Sequence, residues 1–103
     1  MEINSEGLDP VIVSVEGEVD LATSPRLEQA LDEALSSSGA TGVCVDLSKV
    51  EFMDSAGLRV LVAARRRADG SGLSMTLREP HDRVRRIIEI TGLAEVFGLA
   101  RNS

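Results

Sequence analysis

Residues 43–68 read VCVDLSKVEFMDSAGLRVLVAARRRA, and one change of hydrophobic period inside them decides the fold. At the start apolar and polar side chains alternate: Val43, Val45 and Leu47 share one face, Cys44 and Asp46 the other. A two-residue period is a strand. Later, Leu58, Leu61, Val62 and Ala68 recur at three- and four-residue spacing, which predicts a helix over residues 57–69. Arg65, Arg66 and Arg67 suit its last turns, because cations stabilise the negative end of a helix dipole. Gly70-Ser71-Gly72 stops it. Strand gives way to helix at Asp54-Ser55-Ala56-Gly57, so the hydroxyl of Ser55 falls at a helix start or one residue inside it.

The flanking sequence repeats this alternation of elements. Residues 1–5, 11–15 and 73–77 read as further strands, with Val11, Val13 and Val15 on one face and Leu73, Met75 and Leu77 on another. Gly7-Leu8-Asp9-Pro10 is the turn between the first two. Ser24-Pro25 signals a helix start, serine as cap and proline at the first helical position. Leu27, Ala30, Leu31, Ala34 and Leu35 then form one helical face, ended by the 36–39 segment Ser-Ser-Ser-Gly. A third helix is expected from about residues 80–82, carrying Val84, Ile87 and Ile88 inward, with Gly92 and Leu93 as its C-terminal cap. Residues 96–99 are a candidate edge strand.

A sheet covered on both faces reads as continuous apolar runs; these strands alternate, so one face is apolar. Crossovers between parallel strands are right-handed in nearly all cases. Helices on one face then require the sheet to grow in one direction. The expected fold is α/β: a mixed four- to five-stranded sheet in order 1-2-3-4, strand 1 antiparallel, helices packed mainly on one face. Without a reversal of strand order there is no nucleotide crevice of the doubly wound kind. In this order the segments after strands 2, 3 and 4 leave the sheet at one pole. Residues 17–24 therefore neighbour residues 51–55, and Glu18, Asp20, Glu51 and Asp54 surround Ser55.

Composition narrows the function. The chain has 103 residues, which fits a single domain over residues 1–103. Its 43% hydrophobic content includes two Phe and no Trp or Tyr, so Val, Leu, Ile and Ala must build the core. A formal net charge of −6 argues against direct nucleic-acid binding, which needs a cationic surface. Cys44 has no second cysteine to pair with and reads as a small buried hydrophobe. The polar, acidic N-terminus is not a signal peptide, and no apolar run approaches the ~20 residues of a membrane span. A cytoplasmic protein without a membrane segment is expected.

At the pole Ser55 has two readings. It, or Asp54, caps the helix, a role both residue types favour. Alternatively its hydroxyl accepts a phosphate, beside helical N–H groups that favour an anion. Gly57 permits close backbone approach, for internal packing or for a partner. Asp20 forms a turn or orients a partner's residue. Thr23 and Ser24 are alternative hydroxyls. Catalysis finds little support. A serine nucleophile needs a base in reach. His81 is the one imidazole, expected at the surface or in a first helical turn, and Asp-Ser-Ala-Gly is not the Gly-x-Ser-x-Gly elbow. One His and one Cys do not make a metal site, and no phosphate-cradling loop ends in Lys-Ser/Thr. No cofactor is implied, and a non-enzymatic protein is expected.

VEGEVDLATSPRLEQAL at 15–31, the 43–68 stretch and ITGLAEVF at 90–97 together resemble the STAS domain of bacterial anti-sigma factor antagonists. The likeness spans residues 11–97 and rests on Gly-Glu-x-Asp, Phe-Met-Asp-Ser-x-Gly-Leu and Thr-Gly-Leu at these separations. It implies a protein that, unphosphorylated, binds an anti-sigma factor with serine kinase activity and so frees a sigma factor. It also implies that the kinase phosphorylates Ser55, the serine after the aspartate, and that a metal-dependent serine phosphatase resets it. Asp20 matches an aspartate near the acceptor. Where the family often has a second serine, this chain has Ala56. The surface expected to meet the partner comprises Asp20, Thr23, Ser24, Asp54, Ser55, Ala56, Gly57 and Leu58. The alternative is a STAS subunit of a membrane lipid-transport ATPase complex, which needs no phosphorylation.

Overall fold

A computed structural model describes residues 1–91 of the chain. The elements run β1 (Glu2–Glu6), β2 (Val11–Val19), α1 (Ser24–Leu35), β3 (Gly42–Met53), α2 (Ser55–Gly70), β4 (Ser74–Arg78) and α3 (Asp82–Ile90). The sheet has four strands in order β1-β2-β3-β4. β1 is antiparallel to β2, and β2, β3 and β4 are parallel. This is the expected topology. The strand expected at 96–99 and the cap at Gly92 and Leu93 lie outside the described residues.

One face of the sheet builds the core. Val11, Val13 and Val15 of β2, Val43, Val45 and Leu47 of β3, and Met75 and Leu77 of β4 are buried together. Leu27, Leu31 and Ala34 of α1, Leu58, Leu61, Ala64 and Ala68 of α2, and Val84 and Ile88 of α3 close over them. Each large aliphatic side chain buried in this way contributes about 1.5–3 kcal/mol. The opposite face carries Ile12, Ser14, Cys44, Asp46, Thr76 and Arg78, half-buried or exposed. Cys44 is therefore a half-buried residue of the outer face, not a core residue, because strand alternation points it away from Val43 and Val45.

β2 and β3 run further than their alternation suggested. From Ser14↔Asp46 to Glu16↔Lys49, two steps on β2 oppose three on β3; from Gly17↔Val50 to Glu18↔Phe52, one step opposes two. Each is a bulge that inserts one extra residue into β3 and exchanges the faces of the residues beyond it. The buried positions after Leu47 are accordingly Val50 and Met53, three apart instead of two. Smaller differences have similar causes. β1 and β4 sit one residue later than expected, with Leu73 half-buried just ahead of β4. α2 starts at Ser55, because Asp54 caps it. Its inward stripe takes Ala64, while Val62 lies to the side, half-buried. Ala30, Leu35 and Ile87 also flank the core only partly buried.

Candidate functional site

The last residues of β2 and β3, Val19 and Met53, are paired and fully buried. Asp20 and Asp54 come directly after them, so the two turns leave the sheet side by side. The Asp54 N–H donates to the Val19 carbonyl at 3.1 Å, extending the ladder one bond into the turns.

Asp54 is the N-cap of α2. Its Oδ1 accepts the N–H of Ala56 at 2.9 Å and of Gly57 at 3.2 Å. Ser55 is the first helical residue and is exposed. The two sequence readings thus separate: Asp54 does the capping and Ser55 is left presented to solvent. Two of the first-turn N–H groups that favour an anion are occupied by the Asp54 carboxylate.

Gly57 is a packing glycine. A Cβ there would stand 2.7 Å from Met53 Cγ and 2.8 Å from Val19 Cγ1. Its missing side chain lets α2 begin directly on the ends of β2 and β3. Leu58 is 5% exposed and belongs to the core. Within the expected contact surface, Gly57 and Leu58 hold Ser55 in place from beneath.

The Asp20 turn is closed by its own polar groups. Asp20 Oδ1 accepts the N–H of Ala22 and of Thr23, both at 3.0 Å, and lies 3.1 Å from Thr23 Oγ1. Thr23 Oγ1 in turn accepts the Asp20 N–H at 2.9 Å. The Thr23 N–H and hydroxyl, with the Ala22 N–H, hold the Asp20 carboxyl below its ordinary value against the opposing effect of burial. Thr23, not Ser24, occupies the cap position of α1, with its side chain committed to this turn. Ser24 is the first helical residue, 7% exposed, with its Oγ 3.5 Å from the Leu21 carbonyl. Pro25 therefore stands one position further into the helix than expected. Neither hydroxyl is presented as Ser55 is.

Around this pair of turns Glu18 is exposed beside Phe52, its register partner. Glu51 sits at the second bulge and lines an open groove with Ser48, Glu79, Pro80, His81, Asp82 and Arg83, on the α3 side. His81 is exposed at the cap position of α3, as expected. Two exposed apolar side chains were not anticipated here: Leu21, 78% exposed in the Asp20 turn, and Phe52, 46% exposed beside Glu18. The available signal was a leucine standing alone in a polar turn. No group of three or more His, Cys, Asp or Glu side chains fit to hold a metal ion occurs among the described residues. No helix among them is long and apolar enough to cross a membrane.

A mixed sheet in sequential order, helices on one face and a presented hydroxyl where β3 meets α2 agree with the resemblance seen in the sequence. The chain belongs to the STAS domain family: residues 4–100 match the family model described as "Mlab, STAS domain". It is 33% identical over 97 residues to the anti-sigma-B factor antagonist of Listeria monocytogenes, covering 94% of this chain and 84% of that protein. It is 34% identical over 88 residues to the anti-sigma-F factor antagonist RsfB of Mycobacterium tuberculosis, covering 85% and 70%. The crystal structure of an anti-sigma factor antagonist from Mycobacterium paratuberculosis superposes with a TM-score of 0.86 at 33% identity, covering 98% of this chain and 86% of that one.

Proposed function

We propose that this chain is an anti-sigma factor antagonist, a regulatory binding protein switched by phosphorylation of Ser55. Unphosphorylated, the end of the domain bearing Asp20, Leu21, Phe52, Asp54 and Ser55 binds an anti-sigma factor that is also a serine kinase. That binding releases a sigma factor. The kinase then transfers the γ-phosphoryl group of ATP to Ser55 Oγ. The new bond is O–P, ADP leaves, and the hydroxyl proton passes to a base on the kinase. A metal-dependent serine phosphatase hydrolyses the ester and resets the protein. Because ATP is the phosphoryl donor, the cycle runs in the cytoplasm.

The observation that carries this reading is the division of labour between Asp54 and Ser55: the aspartate satisfies the helix start and the exposed serine has no such duty. The names of the relatives support it. Exposed Leu21 and Phe52 at the same end supply apolar contact area. The switch needs no refolding. A phosphate adds about −1.5 to −2 charge, and like charges ~4 Å apart repel by about 4 kcal/mol at an effective dielectric near 20. About 1.4 kcal/mol is already tenfold in affinity.

The test is affinity capture with the unphosphorylated protein, then incubation of the recovered partner with ATP and mass spectrometry of the 54–57 segment. The expected result is an ATP-binding anti-sigma factor that phosphorylates the parent protein and leaves Ser55→Ala unmodified but bound. Stoichiometric phosphorylation of Ser55→Ala would overturn the acceptor. Recovery of a transporter ATPase in place of the kinase would overturn the regulatory reading.

A further inference from the structure

We propose that Arg59 holds the phosphate of phosphorylated Ser55 in cis, so that the modified form carries its own counter-ion. The inference rests on Ser55 being the acceptor. Ser55 is the first residue of α2, and Arg59 stands four residues later; both are exposed. Side chains four apart on a helix stand one above the other, about 5–6 Å between Cβ atoms. An anion toward the N-terminus with a cation one turn later is the favourable order.

Arg59 reaches this position unengaged. Among the described residues no hydrogen bond or ion pair ties its side chain, whereas Arg65 bonds Asp69, Arg67 bonds Asp32 and Arg78 bonds Asp46. Two of the competing backbone donors are already used, since Asp54 Oδ1 takes the N–H groups of Ala56 and Gly57. Glu18 and Asp20 from β2 and its turn, and Asp54 at the cap, all repel a phosphate. Among the described residues, further exposed cations toward this end are Arg26 in the first turn of α1 and Arg83 at the start of α3, which lines the groove with Glu51. A guanidinium is suited to the phosphate because it donates two parallel N–H groups to two oxygens.

This arrangement gives the modification a second action. Phosphorylation adds charge to the surface and also folds Arg59 over the serine. A partner that meets a free hydroxyl and a free guanidinium in one state meets neither in the other.

The test places phosphoserine at position 55 during translation, so that no kinase is needed, and tracks the phosphorus resonance against pH. The second phosphate pKa is ordinarily about 6, and a guanidinium alongside favours the dianion. In Arg59→Gln that value is expected to rise by about 0.3, while Arg26→Gln leaves it at the parent value. Identical values in the parent and Arg59→Gln would overturn the proposal. So would a larger rise in Arg26→Gln than in Arg59→Gln. Because the phosphate is installed directly, this measurement reads Arg59 alone; failure of Ser55 as acceptor shows instead in the kinase experiment above.

Discussion

The Asp54 N–H donates to the Val19 carbonyl at 3.1 Å, and this bond ties the start of α2 to the start of the turn after β2. Two aspartates thereby leave the sheet side by side. Each folds back on backbone donors just ahead of it, Asp20 on Ala22 and Thr23, Asp54 on Ala56 and Gly57. The acidic character of this end is thus built into the turns themselves.

Replacing Gly57 by alanine sets two effects against each other. Alanine favours a helix interior by about 1 kcal/mol over glycine. Its Cβ, however, meets Met53 Cγ at 2.7 Å and Val19 Cγ1 at 2.8 Å. Overpacking a core costs about 1–3 kcal/mol, and Val19 is both stiff and fully buried. Urea unfolding should show a net loss of about 1 kcal/mol. Adding Val19→Ala makes room, so the double variant loses less than the two single losses together.

Asp54→Ala leaves the N–H groups of Ala56 and Gly57 without their acceptor. The expected loss is about 1 kcal/mol. Asn caps as well as Asp, so Asp54→Asn should keep nearly all the stability. Thermal unfolding of the two variants checks this; equal losses in both would assign the effect to the carboxylate charge instead of the cap.

Thr23→Val removes the hydroxyl from the Asp20 turn and keeps the backbone N–H. The Asp20 carboxyl, held below its ordinary value of 3.8, should move up toward it. The stabilisation from a lowered carboxyl is complete above the ordinary value and is lost as pH falls through the lowered one. Acid weakening of the turn therefore begins near the same ordinary value in Thr23→Val but is smaller and is complete at higher pH than in the parent. Carboxyl carbon resonances of Asp20, recorded through a titration, report both effects.

Asp46 offers a second acid-sensitive contact, on the outer face of the sheet. Burial pushes its carboxyl up, but the Ser48 N–H at 2.9 Å and the Arg78 guanidinium at 2.8 Å outweigh that and hold it low. Arg78→Gln should raise it. The accompanying loss at neutral pH is below about 1 kcal/mol, as for other ion pairs with an exposed partner. Urea unfolding should show the gap between parent and variant closing as pH falls through the lowered Asp46 value.

The topology was legible because three strands alternate cleanly and one-sided burial fixes the direction of sheet growth. The full reach of β3 was not, because its two bulges break the period after Leu47. Val50 is a core residue that no two-residue count from Val43 selects, and Met53 returns to that count only because the second bulge restores the parity the first one broke. On α2, Val62 outranks Ala64 in hydrophobicity, yet the stripe through Leu58, Leu61 and Ala68 passes through Ala64. The adjacency of Asp20 and Asp54 came from strand order alone. Which hydroxyl or carboxylate caps each helix did not, since Ser24 and Ser55 both satisfy the cap preference. Only the hydrogen bonds of Thr23 and Asp54 separate them.

Between the pairs Val11↔Val43 and Val19↔Met53, β2 advances eight residues and β3 ten. The two additional residues of β3 decide which side chain arrives beneath α2. A single deletion between Leu47 and Met53 would bring Phe52's neighbour out of step, carry Asp54 into the paired region and turn the serine away from Asp20. Lys49 and Glu51 are exposed within this segment, and neither is a core residue. What positions the turn is the number of residues: the segment works as a measured length of chain, intolerant of insertion or loss.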